Sequence, residues 1–366
     1  MRRLLLALLA ATPLYAQLEE PIVVKAEAKT VRRNIAYDGE RKLDLYRPND
    51  KETLPLVIFL NGVGRPDLKD WGQYTSWPPL IASRGMAAIA YETSGTDVLP
   101  QTEALLAYVR KNAAELKIDP SRIAIWACSA NSRMGTALVN AHEDLRAAVF
   151  YYGLMEQAPK NATTPVYVAR AGLDALTLNA SIDRWVAQAV ALDAPVTLVT
   201  YPEGLHGFDI ENDTPESKRI ILDTVEFLRH HLTTAPTPRR EPITLATLQR
   251  LIAEEGVAKG VARLSEIAKT HPNAYVLQER TLNGLGYAFL AERKVAEAVA
   301  ILEHVVKTRP ESANAHDSLA DAYEAADRKA EAIAASERAL QLVDKVSPQQ
   351  REGIRRSAEE RLKRLR

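Results

Sequence analysis

Three residues of this chain could together carry out nucleophilic acyl transfer: Ser129, Asp174 and His206. Ser129 follows Arg122-Ile-Ala-Ile-Trp-Ala-Cys, an apolar run of strand length, and a helical pattern begins after Ser132. Asp174 ends Arg170-Ala-Gly-Leu-Asp, just beyond the apolar run Pro165–Ala169. His206 lies in Glu203-Gly-Leu-His-Gly, just beyond the next such run, Pro195–Tyr201. A hydroxyl, an imidazole and a carboxylate can form a relay in which the imidazole takes the hydroxyl proton while the carboxylate orients it. Singly, Ser129 reads as a helix N-cap, Asp174 as a turn residue and His206 as a surface histidine. Their joint placement after successive strands, in the order Ser, Asp, His, is what points to chemistry.

Two rivals sit close by. Cys128 is a nucleophile by chemistry, but shifting the turn by one residue would put Trp126 two positions before it. A sharp strand-to-helix turn needs small residues there, and Ala127 meets that need for Ser129. Cys128 then reads as a small buried hydrophobe. Asp183 is a second acid, but it falls inside the helical pattern after Asp174, so Asp174 is the preferred partner for His206.

The elements that must position these groups alternate. The runs Leu56–Leu60, Ala87–Tyr91, Ile123–Trp126, Ala147–Tyr152, Val166–Ala169 and Val196–Tyr201 predict strands, several apolar throughout as in a parallel sheet buried on both faces. Helical segments are expected at Gln101–Ala114, Met134–Ala141, Ile182–Ala191 and Glu216–Leu232. Arg33–Tyr37 and Lys42–Tyr46, joined through Asp38-Gly39, predict an antiparallel hairpin at one edge. The whole implies a doubly wound α/β domain over residues 17–232.

Outside it the chain changes character. Arg2-Arg3, an apolar Leu4–Leu14 and Leu14-Tyr15-Ala16 read as a signal peptide over residues 1–16, implying export to the periplasm or beyond. That run is too short to span a bilayer. Residues 233–242, TTAPTPRREP, read as a linker. Residues 243–366 are rich in Ala, Leu and Glu, and predict an all-α domain. A 34-residue register aligns Leu285-Gly286 with Leu319-Ala320, Phe289 with Tyr323, Ala298 with Ala332 and Val305 with Ala339. This resembles the tetratricopeptide repeat, with copies at 279–312 and 313–346, a degenerate one at 243–275 and a capping helix from Pro348. An ordinary helical bundle is the plainer alternative.

Residues 30–232 resemble the dienelactone-hydrolase-like branch of the α/β hydrolases. The resemblance rests on Ala127-Cys-Ser-Ala-Asn131 set against G-x-S-x-G, on the Ser, Asp, His order, and on three further stretches: Lys42-Leu-Asp-Leu-Tyr-Arg-Pro48, Ser83-Arg-Gly-Met86 and Tyr151-Tyr-Gly153. It departs from the family pattern at Ala127, Asn131 and Asn61, the last standing where the family has His before Gly62. The resemblance implies an α/β-hydrolase fold with a Ser129–His206–Asp174 triad. It also implies an oxyanion hole from the backbone N–H groups of Ala130, after the nucleophile, and Val63, in Phe59-Leu-Asn-Gly-Val-Gly64.

Only eleven residues separate Gly153 from Pro165, so no lid domain fits there and small or polar acyl esters are the expected substrates. Lys plus Arg equal Asp plus Glu at 47 each, which argues against a nucleic-acid partner held by bulk charge. One cysteine allows no internal disulfide, and the scattered histidines suggest neither metal nor cofactor. An exported ester hydrolase is the leading reading. A hydrolase scaffold working as an interaction protein through its repeats, and a peptidase on the same fold, are the alternatives.

Overall fold

The computed structural model describes residues 20–160, 163–235 and 243–366. The predicted signal peptide and most of the predicted linker lie outside the described residues. The chain divides into two compact units, residues 1–237 and 238–366.

In the first unit, eight strands form one sheet: β1 Thr30–Asp38, β2 Arg41–Arg47, β3 Leu54–Phe59, β4 Ala87–Tyr91, β5 Ile118–Cys128, β6 Ala147–Tyr151, β7 Val166–Ala171 and β8 Val196–Tyr201. Their order is β1-β2-β4-β3-β5-β6-β7-β8. The pairs β1–β2 and β2–β4 are antiparallel, and the other neighbours are parallel. This mostly parallel sheet, with an antiparallel hairpin at one edge, is the α/β-hydrolase fold.

The inner strands β3, β4 and β6 are apolar and buried throughout because both faces of the sheet are covered there. Side chains alternate between the faces, so neighbours in β5 divide between two cores. Trp126 joins Phe59, Trp77 and Tyr151 on one face, under α1 (Gly72–Ser83) and α7 (Pro215–Thr233). Ile125 joins Ile58 and Phe150 on the other, under α2 (Leu99–Lys111), α4 (Ser132–Ala141) and α5 (Leu176–Ala191). Two short helices, α3 (Ala113–Leu116) and α6 (Phe208–Glu211), complete this unit.

The second unit is all helical: α8 Leu245–Glu255, α9 Val257–Thr270, α10 Glu279–Ala291, α11 Val295–Thr308, α12 Ala313–Ala325, α13 Lys329–Leu342 and α14 Pro348–Leu365. Leu264, Leu285, Phe289, Leu302 and Leu319 share its main core. A Cβ on Gly286 would lie 2.7 Å from Leu302 Cγ, so only glycine lets α10 and α11 approach this closely. Tyr287 Oη donates to Asp321 at 2.8 Å, thirty-four positions on, tying matching places in α10 and α12. In α14, the buried Arg361 guanidinium meets Asp317, Asp321 and Glu324 of α12.

Candidate active site

Ser129 stands at the end of β5, in the turn leading to α4. Its φ is +49°, a left-handed conformation that a β-substituted residue adopts only when its surroundings impose it. Here β5 is locked by parallel pairing to β3 and β6, with Trp126 opposite Phe59 and Val149. The turn therefore holds the hydroxyl clear of the strand, as a nucleophile elbow does.

Asp174 and His206 come from the loops after β7 and β8. Those loops are joined by Gly172 N–H to Tyr201 O at 2.8 Å and Leu173 N–H to Gly204 O at 3.0 Å. The result brings all three side chains into line. Ser129 Oγ is 2.9 Å from His206 Nε2, and His206 Nδ1 is 2.7 Å from Asp174 Oδ2. The Asp174 side chain is 5 % exposed and that of His206 14 % exposed, so this pair is shielded while the imidazole edge still meets solvent. An ionised Asp174 only accepts, so Nδ1 carries the imidazole proton and Nε2 is left free to accept from the serine.

The rivals fall elsewhere. Asp183 lies on α5 and pairs with Arg170 at 2.9 Å near the surface. Cys128 is fully buried, and burial pushes its thiol up to about 12. It is more than a small hydrophobe, because its Sγ donates to Gln73 Oε1 at 3.4 Å.

The loop after β3 is held against the elbow by Asn131. Its Oδ1 accepts from Gly62 N–H at 2.6 Å, and its Nδ2 donates to Tyr74 Oη at 3.0 Å. With φ −64° and ψ −24° this residue is right-handed and needs no glycine. Gly62, in contrast, packs tightly against the elbow: a Cβ there would sit 3.1 Å from Asn131 Cα and would push it back by a few tenths of an ångström. The Gly62–Asn131 bond brings the loop of Val63 to the turn that contains Ala130. Asn61 braces the same loop by donating from Nδ2 to Arg65 O at 2.7 Å and to Tyr91 O at 3.2 Å.

Sequence reasoning missed a buried polar cluster behind the imidazole. Asp209, in α6, is fully buried and accepts from Gln73 Nε2 at 2.8 Å, Trp77 Nε1 at 2.8 Å and Tyr152 Oη at 2.6 Å. Burial raises its carboxyl above the ordinary value, and these three hydrogen bonds oppose the rise. Its only signal in the sequence is its place three residues after His206, where a polar side chain interrupts Phe208-Asp-Ile210.

Among the described residues no group of three or more His, Cys, Asp or Glu side chains could hold a metal ion. None of the helices described is long and apolar enough to cross a membrane.

Residues 82–232 match the model of the dienelactone hydrolase family. No curated protein matches the chain. Similar solved structures include a bacterial heroin esterase, at 17 % identity and a TM-score of 0.48 over 60 % of this chain and 89 % of that one. A truncated carbohydrate esterase from gut microbiota shows 16 % identity and a TM-score of 0.49 over 59 % and 100 %. An arylesterase shows 15 % and 0.48 over 60 % and 90 %. Residues 82–232 are thus a dienelactone hydrolase family domain, and the unit that contains them is a hydrolase of the α/β-hydrolase fold.

Proposed function

We propose that this protein is an exported serine hydrolase that cleaves carboxylic esters of small or polar acyl groups. The observation that carries the reading is the unbroken line Ser129 Oγ, His206 Nε2, His206 Nδ1, Asp174 Oδ2, with steps of 2.9 and 2.7 Å. Ser129 Oγ attacks the acyl carbonyl as its proton passes to Nε2, and Asp174 stabilises the imidazolium. The oxyanion is received by the N–H groups of Ala130 and Val63. Collapse of the tetrahedral intermediate breaks the ester C–O bond, and Nε2 returns the proton to the departing alcohol. Water then repeats the sequence on the acyl-enzyme, releasing the acid and restoring Ser129.

The short Gly153–Pro165 connection supports an open site and hence small or polar acyl groups. Arg2-Arg3 and the apolar Leu4–Leu14 support export. The paired helices, with their 34-residue Tyr287–Asp321 contact, support a tetratricopeptide-like surface that binds a protein partner. The engaged side chains of Asn131 and Asn61 favour an active enzyme over a weakened scaffold. The test is a panel of chromogenic esters of increasing acyl length, with Ser129→Ala as control. Hydrolysis strongest on the short esters and abolished in Ser129→Ala is expected. Equal hydrolysis by the variant would overturn the triad, and a preference for long acyl chains would overturn the substrate class.

A further inference from the structure

The buried Asp209 cluster has a proton order that its geometry fixes. Trp77 Nε1 can only donate, and it donates to Asp209 Oδ2. Gln73 Nε2 donates both to Asp209 Oδ2 and to Tyr152 Oη, each at 2.8 Å. Because Tyr152 Oη accepts from Gln73, its own proton is free to go to Asp209 Oδ1. Gln73 Oε1 is then left to accept from the Cys128 thiol. Every donor is used once this order is adopted, and Asp209 accepts three hydrogen bonds, which is what an ionised carboxylate does.

All three of its partners are neutral. The other titratable groups that feel its charge are Tyr74 on α1, Cys128 on β5 and Tyr151 at the end of β6, each pushed up by burial and so also neutral. Such a charge in a dry interior is costly unless it is hydrogen-bonded, as Asp209 is by three donors. The Tyr152 ring lies against the His206 ring, with centroids 4.8 Å apart. Tyr152 itself has φ +36°, and its N–H is held by Ala169 O at 2.7 Å, so its backbone is pinned while Asp209 pins its hydroxyl. From the other side, His206 meets Asp174 and Ser129.

We propose that Asp209 is a positioning residue for His206, acting through Tyr152: it fixes the ring that seats the imidazole. This rests on the reading of His206 as the catalytic base. A displaced imidazole hampers proton transfer from Ser129 and not substrate binding, so the loss falls on kcat.

The test compares Asp209→Asn and Tyr152→Phe with the wild-type chain by two readouts. One is kcat and KM on a short chromogenic ester. The other is the Nδ1 proton resonance of His206 in isotope-labelled protein, assigned with His206→Gln, which reports its hydrogen bond to Asp174. In Asp209→Asn, kcat should fall roughly ten- to a hundredfold, the scale that misplacing a catalytic group by about 1 Å carries. KM should stay nearly constant, and the His206 Nδ1 proton resonance should shift as its hydrogen bond to Asp174 is disturbed. Tyr152→Phe keeps the ring but cuts its tie to the carboxylate, so kcat should fall less. Loss of thermal stability alone, with kcat and the Nδ1 resonance as in the wild type, would make Asp209 merely structural and overturn the proposal. Should Asp209→Asn not fold, Tyr152→Phe decides by the same readouts, an unchanged kcat and resonance overturning it. A wild-type chain that cleaves no ester would instead defeat the triad, while the resonance still decides whether Asp209 acts on His206.

Discussion

The side-chain oxygen of Asn131 accepts the backbone N–H of Gly62 at 2.6 Å, so a residue two places after the nucleophile holds the loop that follows β3. A glycine at position 131 could not make that contact. The departure from the family pattern thus replaces backbone freedom with a side-chain tether. Its loss should be felt in both stability and rate.

Asn131→Ala is expected to destabilise the protein by about 1–3 kcal/mol, the usual cost of leaving a buried donor without a partner. It should also lower kcat, because Gly62 N–H no longer fixes the place of Val63. Chemical denaturation measures the first and ester kinetics the second. A variant as stable and as fast as wild type would show the tether to be dispensable.

The two acids near the end of β7 should behave very differently. Asp174→Asn removes the acceptor that orients His206 Nδ1, and the equivalent change in serine proteases lowers kcat by ~10⁴. Asp183→Asn only frees Arg170 on the surface and should leave kcat within about twofold, as expected of an exposed ion pair. Steady-state kinetics on one ester suffices, and the opposite ranking would reassign the acid.

An active-site fluorophosphonate should label Ser129. Ser129→Ala should escape labelling, and Cys128→Ala should retain it, because the thiol is buried and protonated beneath the turn. Peptide mapping of the labelled protein locates the adduct, and an adduct that vanishes with Cys128 would contradict the assignment.

Much of this architecture was legible because it follows from burial. Strands covered on both faces must be apolar throughout, so Leu56–Leu60, Ala87–Tyr91 and Ala147–Tyr152 stood out, and the observed β3, β4 and β6 lie over them. The helix α1 was not legible. Pro78 and Pro79 lie inside it, and Tyr74, Trp77, Leu80 and Ile81 are buried, which hides the apolar and polar stripes that mark a helix. Its loss from the sequence reading also hid Gln73 and Trp77, two of the three donors to Asp209. Ser129, Asp174 and His206 could be found because strand ends are conspicuous. Asn131 could not be read as a tether, since its partner is a backbone N–H sixty-nine residues away.

A chain ending at Ala235 should fold and accept the fluorophosphonate. The contacts divide the protein after Thr237, and the cores on both faces of the sheet are built entirely from residues of the first unit. Near-UV circular dichroism and probe labelling of the shortened chain measure this. A molten product would place helices of the second unit among the requirements of the hydrolase core.

Cys128 supplies the protein with a clock. It is the chain's one cysteine, it is fully buried, and it sits directly before the nucleophile. A thiol reagent can reach it only when the structure around β5 opens, so the rate of modification counts those openings. At low reagent concentration that rate reports the free energy of opening, and at saturation it reports the opening rate itself. A single reagent added to the native enzyme would therefore time the breathing of the sheet immediately beneath Ser129, with no label introduced.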